Sequence, residues 1–295
     1  MSKTIWPLSD QGYADVPGGR VWYGVVGDLK KARATPLLVV HGGPGMSHDY
    51  LYPLTDIVAD RPVIFYDQLD AGLSDRPNDP VNWTVPRFVA EIDTLRDALD
   101  LPVLSIFGNS WGGTVAAAYA AACPAGLDRL ILSSPLIDTK RWVTDNSAYR
   151  AALPDEVVAI MDRCEASGET GSKAYEDAVD VFNRRHLCRV DPWPGYVMET
   201  FEVLNGDCYA GMWGPNEFTC TGVLGDYDAS GDLASISVPT LITCGEFDEA
   251  TPTSCRAFSE MIPDAKFVAF KGASHLAFVE DRENYSATAR RFLSG

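Results

Sequence analysis

Positive charge is scarce in this chain of 295 residues: 24 lysines and arginines stand against 41 aspartates and glutamates, a net charge of −17. A surface with that excess repels phosphate backbones and anionic lipid, so neither a nucleic-acid partner nor a membrane partner is expected, and cationic ligands are favoured. Long apolar runs are missing as well. No stretch of 18 apolar residues occurs, which argues against a membrane-spanning helix. Met1 to Asp10 lacks the basic start and apolar run of a secretory signal. The ligand spacings C-x-x-C and H-E-x-x-H are absent, and His186 with Cys188 offers two candidate ligands where a structural zinc needs four. No metal and no cofactor is therefore expected. The seven cysteines are odd in number and form no framework, the pattern of reduced thiols in a cytoplasmic protein.

What is present is an ordinary globular composition, 46% hydrophobic and 22% charged, with ample length for a sizeable core. No internal repeat or low-complexity stretch interrupts it. The first third alternates short apolar runs with helical patterns. Val21–Val26, Leu37–Val40, Val63–Tyr66, Val103–Phe107 and Leu130–Leu132 read as strands. Between Thr84 and Leu99, Val85, Phe88, Val89, Ile92, Leu95 and Leu99 recur at spacings of three and four, the face of a helix. Gly112–Ala122 reads as an alanine-rich helix. From about Pro135 to about Asp232 the text turns helical and loop-like. Alternation then returns with a strand at Pro239–Thr243, a helix from about Thr253, a strand at Lys266–Phe270 and a last helix. Buried strands alternating with helices predict an α/β fold, a mostly parallel sheet with helices on both faces. The interruption predicts a helical cap over the carboxyl ends of the strands, where such sheets bind ligands. The expected division is a core of residues 1–135 and 235–295 and a cap of residues 136–234.

Gly108-Asn109-Ser110-Trp111-Gly112-Gly113 matches G-x-S-x-G between a strand and a helix, the context of a nucleophile elbow. A strand reversing sharply into a helix puts serine at a strained apex, and the flanking glycines remove Cβ atoms that would collide. A serine hydroxyl is a weak nucleophile and needs a base. Of the four histidines only His186 and His275 follow Ser110, as the chain order of the α/β-hydrolase fold requires. His186 sits beside Arg184 and Arg185 inside the interruption, a surface or packing position. His275 follows the last predicted strand and is the expected base. The orienting acid should follow the strand before, which selects Asp248, with Glu246 and Glu249 as competitors and Asp264 as a turn residue. His41-Gly42-Gly43-Pro44-Gly45 follows the strand at Leu37–Val40. Glycine there lets the backbone approach an oxyanion, so the N–H groups of Gly43 and Trp111 are the expected donors. His41 itself reads as a strand-end histidine that holds the loop by hydrogen bonds.

These segments, with Gly245-Glu246-Phe247-Asp248-Glu249 and Ser274-His275-Leu276, resemble the proline iminopeptidase family of serine peptidases over nearly the whole chain. The run His41 to Leu51 and the cap segment Gly214-Pro215-Asn216-Glu217-Phe218-Thr219 are most similar to its tricorn-interacting aminopeptidase branch. One segment departs. Many members carry Asp-Gln-Arg-Gly before Gly-x-Ser, whereas Asp67-Gln68-Leu69-Asp70-Ala71-Gly72-Leu73-Ser74 stands here. The resemblance implies an amine site in which Glu217 and Glu249 hold the substrate's free amino group. Two carboxylates can accept the three donors of an ammonium and compensate its charge.

The function expected on these grounds is a serine aminopeptidase that releases N-terminal residues from short peptides through an acyl-enzyme. The alternatives are an amidase acting on aminoacyl amides or on an aminoacyl group of a natural product, and an esterase or lactonase with no amine requirement. Trp111, Tyr209, Trp213 and Phe218 are candidates for the specificity pocket or for packing.

Overall fold

A computed structural model describes residues 4–295; Met1 to Lys3, part of the stretch read above for a secretory signal, lie outside them. Eight strands form one sheet: β1 (Asp10–Val16), β2 (Gly19–Val26), β3 (Leu37–Val40), β4 (Val63–Tyr66), β5 (Leu104–Asn109), β6 (Leu127–Ser133), β7 (Thr240–Gly245) and β8 (Ala265–Phe270). Their order is β1-β2-β4-β3-β5-β6-β7-β8. β2 runs antiparallel to both its neighbours and every pair from β4 onward is parallel. β1 is the one strand that the periodicity missed. It pairs only with β2, and most of its residues face solvent, so it lacks the apolar alternation that marks a half-buried strand.

The central strands β3, β4, β5 and β7 are buried at every position. Their side chains alternate between two cores. Leu38, Val40, Ile64, Tyr66, Ile106 and Ile242 join one, and Leu37, Val39, Val63, Phe65, Phe107 and Leu241 join the other. Helices α1 (Val85–Ala98) and α2 (Trp111–Ala121) cover the first face. The second lies under Asp49–Ala59, a run of 3-10 helix, and under the last two helices described below. Apolar side chains on both faces are what the continuous Val/Ile/Leu runs require of a parallel sheet.

Five helices lie between β6 and β7: α3 (Thr139–Ala151), α4 (Asp155–Ser167), α5 (Lys173–His186), α6 (Gly195–Glu202) and α7 (Gly206–Met212). Parts of this insertion have a small core of their own, in which Leu153, Met161, Cys164, Tyr175, Phe182 and Phe218 meet. The chain then returns to the sheet with α8 (Pro252–Met261) after β7, and with α9 (Ala277–Glu280) and α10 (Arg282–Ser294) after β8. No helix among the described residues is long and apolar enough to cross a membrane.

Candidate active site

The segments that follow β3, β5, β6, β7 and β8 meet at one cavity of about 190 Å³, roofed by residues of the insertion. Ser110 stands between β5 and α2 with φ 53° and ψ −120°. A non-glycine residue there carries strain of roughly 1–3 kcal/mol, which surrounding contacts must hold in place. They do: Ser110 N–H donates to Ser133 O at 3.0 Å, and its own carbonyl accepts from Gly113 N at 2.8 Å and Leu136 N at 3.1 Å. The flanking glycines are needed for close approach. A Cβ at Gly108 would lie 2.3 Å from Gly112 O, and one at Gly112 would lie 2.2 Å from Val40 O.

The loop after β3 is tied from beneath. His41 Nδ1 lies 2.9 Å from Gly42 O, and Nε2 accepts from Gln68 N at 3.0 Å, the loop-holding role read from the sequence. Tyr50 Oη accepts from Gly42 N at 2.6 Å and donates to Asn109 Oδ1 at 2.7 Å, which joins this loop to the serine turn. Gln68 makes a second tie, from its Nε2 to His41 O at 2.8 Å and from Trp111 Nε1 to its Oε1 at 2.7 Å. Gly43 has φ 59°, a conformation that costs glycine nothing. Among the described residues the N–H groups of Gly43 and Trp111 donate to no other group, and both residues line the cavity beside Ser110. Two free donors at a helix N-terminus and an adjacent glycine loop can stabilise developing negative charge.

Asp248 is fully buried and saturated with donors. Its Oδ1 accepts from Ala250 N at 2.8 Å and lies 2.8 Å from His275 Nδ1; its Oδ2 accepts from Gly245 N at 2.9 Å and from Ser134 Oγ at 2.6 Å. Of the competitors, Glu246 instead accepts from Gly272 N at 2.9 Å. Glu249 takes the other side of the imidazole, with Oε1 3.4 Å from His275 Nε2. No hydrogen bond joins Ser110 Oγ to His275 among the described residues, although both line the cavity. Such contacts are commonly long in a resting enzyme and tighten around substrate. His186 stacks on Tyr149 at 4.0 Å, and its carbonyl accepts from His275 N at 3.1 Å. It is a packing residue that positions the backbone of His275. Asp264 accepts from Thr240 N through its carbonyl at 2.9 Å, as a turn residue would.

Glu217 and Glu249 open on the same cavity. Glu217 comes from a short turn in which Asn216 and Thr219 form an isolated bridge. Asn216 Nδ2 donates to Tyr175 Oη at 2.8 Å, which pins the turn to α5, and Phe218 packs beside Phe182 at 5.5 Å. Glu217 Oε1 accepts from Tyr209 Oη at 2.5 Å, and its carbonyl accepts from Trp142 Nε1 at 3.1 Å. Burial pushes both carboxyls above the usual carboxylate range. For Glu249 the nearby charges of Glu217 and Asp248 add to the push, and its Oε2 has no partner among the described residues. A buried carboxyl whose pKa is raised by burial and by the charge of a half-buried one beside it makes a site suited to a cation. Of the four aromatic candidates, Trp111, Tyr209 and Trp213 line the cavity, while Phe218 belongs to the insertion's own core.

The departing segment also has a physical form. Leu69 is buried in the first core. Asp70 sits at φ 67°, a left-handed conformation that Asp tolerates better than most residues. Its carboxylate accepts from Trp83 Nε1 at 2.9 Å and Asn78 N at 2.7 Å. Asp67 is occupied by His48 N and Nδ1, both at 2.8 Å, and by Leu73 N at 2.7 Å. The sequence reading passed over Ser134, Tyr50, Gln68 and Trp142. A hydroxyl just past the carboxyl end of β6, beside β7, could have drawn attention to Ser134; the other three become visible only when distant segments are packed together.

Residues 35–167 match the family model for the alpha/beta hydrolase fold. The chain is 39% identical over 285 residues to the proline iminopeptidase of Heyndrickxia coagulans, covering 96% of this chain and 98% of that one. It is 35% identical to the proline iminopeptidase of Thermoplasma volcanium, covering 96% of each. Among solved structures it is similar to VinJ, with TM-score 0.94, 35% identity and coverage of 98% of this chain and 99% of that. It is also similar to the proline iminopeptidase of Mycobacterium smegmatis, with TM-score 0.90, 34% identity and coverage of 97% and 98%. The enol-lactonase of Burkholderia xenovorans LB400 shares the fold alone, at TM-score 0.71 and 20% identity, with 96% of this chain and 100% of that one covered.

Proposed function

The chain belongs to the proline iminopeptidase family of α/β-hydrolases, and from that premise we propose the following course for its reaction. The substrate is a short peptide or aminoacyl amide whose free ammonium docks between Glu217 and Glu249, under a cap formed by residues 136–234. Ser110 Oγ attacks the first carbonyl carbon while His275 Nε2 takes its proton. Asp248 holds Nδ1–H and so fixes the tautomer that makes Nε2 the base. The N–H groups of Gly43 and Trp111 receive the oxyanion. His275 then gives its proton to the departing amine. Water enters, His275 removes its proton, and the ester to Ser110 is hydrolysed, which regenerates the serine.

The observation that carries this reading is the pairing of Glu217 with Glu249 across the cavity that Ser110 and His275 line. An esterase or lactonase has no use for a buried carboxyl and a half-buried one beside the reacting atoms, since such burial is costly without a cation. The seven cysteines are all free, which supports a reducing compartment such as the cytoplasm. The test is a panel of aminoacyl arylamides, each with its amine free or acetylated. Turnover confined to the free-amine members is the expected result. Equal turnover of the acetylated members would replace the aminopeptidase reading with the esterase one.

A further inference from the structure

The cavity is lined by two carboxyl groups and offers nothing to balance a further carboxylate. Among the described residues that line it there is no lysine and no arginine; its titratable members are Glu217, Glu249, His275, Tyr50 and Tyr209. Two arginines of the insertion are engaged elsewhere. Arg150 is paired with Asp162 at 2.6 Å and Glu165 at 3.0 Å, and Arg184 with Asp180 and Asp191. Two helices instead present neutral stripes. On α5 and just beyond it, Val179, Asn183 and Leu187 recur at a spacing of four; from α6, Val197, Phe201 and Leu204 recur at four and three.

A dipeptide cut after its first residue carries its carboxylate one residue past the scissile bond. An extended residue spans roughly 3.3–3.6 Å, so that carboxylate stays close to the reacting atoms, among the residues that line the cavity. There it would be stripped of water, would find no cation, and would meet the field of Glu217 and Glu249. Buried charge of one sign is costly unless paired.

We propose that the group this enzyme releases is uncharged and apolar next to the scissile bond: the amine of a hydrophobic amide, or a peptide continuing far enough to keep its carboxylate outside. Free dipeptides are then poor substrates. The inference rests on the free-amine reading given above and adds the chemistry of the other side of the bond.

Three substrates with one common N-terminal residue test it: a free dipeptide ending in leucine, the same dipeptide as its leucinamide, and the N-hexylamide of that first residue. The expected kcat/KM for the leucinamide exceeds that for the free dipeptide by about ten- to a hundred-fold, with the hexylamide at least equal to the leucinamide. A free dipeptide cleaved as well as its amide would overturn the proposal. The same dipeptide leucinamide acetylated on its N-terminal amine serves as the separate control: if it is cleaved at the full rate, the free-amine reading fails, whatever the leaving group does. A second measurement uses Asn183→Arg, which puts a cation on the α5 stripe with little loss of apolar packing. The ratio of leucinamide to free dipeptide within that one protein should fall at least several-fold. A ratio that does not move would mean that charge is not the cause.

Discussion

The two sides of the site are held by opposite means. The serine side is over-determined: a strained residue at φ 53° is locked by backbone bonds, two glycines admit no Cβ, and Tyr50 and Gln68 tie the neighbouring loop down. The glutamate side is under-compensated. The Glu217 carboxyl hangs on one tyrosine hydroxyl, and Glu249 has an oxygen with no partner among the described residues and a pKa pushed up by burial and by its neighbours. Rigidity suits groups that must meet a transition state in one geometry. Unbalanced charge suits groups whose partner arrives with the substrate. A site can therefore be preorganised in shape and still be incomplete in charge.

Breaking the serine side should have the largest effect. Ser110→Ala keeps the same backbone strain and removes only a half-buried hydroxyl, so the melting temperature should change little. Turnover should fall by several orders of magnitude, to the residual level set by binding and the oxyanion donors. Near-normal activity in that folded protein would remove the mechanism. Asp248→Asn comes next. It should cost about 10⁴ in kcat, because an amide facing Nδ1 favours the wrong tautomer of His275. If Glu246→Gln were the damaging change and Asp248→Asn mild, the acid would have to be reassigned.

Breaking the glutamate side should be gentler and selective. Glu217→Gln keeps size and one acceptor but removes charge. Loss of a charge-assisted hydrogen bond costs roughly 1.5–3 kcal/mol, or about ten- to a hundred-fold. That loss should appear in kcat/KM for a free-amine substrate and be nearly absent for a small ester without an amine. Equal losses on both would make Glu217 structural.

The smallest effect is in the pH profile. Both glutamates have raised pKa values, so ionisation of the pair, and with it ammonium binding, is lost as pH falls through a range above that of ordinary carboxylates. The ratio of amine to ester turnover should therefore rise with pH over that range, then decline once the substrate amine deprotonates, near its usual pKa of roughly 8. In Glu217→Gln one repulsive charge is gone, so Glu249 should ionise more easily and the rising limb should move to lower pH. A limb that stays in place would show that Glu217 does not act on Glu249 through charge.

The same contrast explains what the sequence made legible. The serine turn, the β3 loop and the acid and base positions are each set by a few contiguous residues whose steric demands leave a local trace. Strand and helix alternation located most of the sheet for the same reason, while β1 escaped because an exposed edge strand has no apolar face to announce it. Glu217 left no local trace. Its position depends on Asn216 reaching Tyr175 on α5 and on Trp142 on α3, contacts across 41 and 75 positions. Resemblance to a family supplied that residue, and periodicity could not have.

Chain order gives the proposed triad a history as well as a shape. A ribosome delivers the serine turn and the loop after β3 early, while the imidazole follows 165 positions later, from Ser110 to His275. β8, the strand just before His275, pairs with β7, which itself waits for the whole insertion to be made. Contacts of such separation form late in folding, because a long loop must close before they are rewarded. The growing chain thus holds a serine with no base, and an incomplete or misfolded copy has nothing to arm it. On the proposed assignment, hydrolytic competence arrives just past the final strand, after the insertion has already been synthesised.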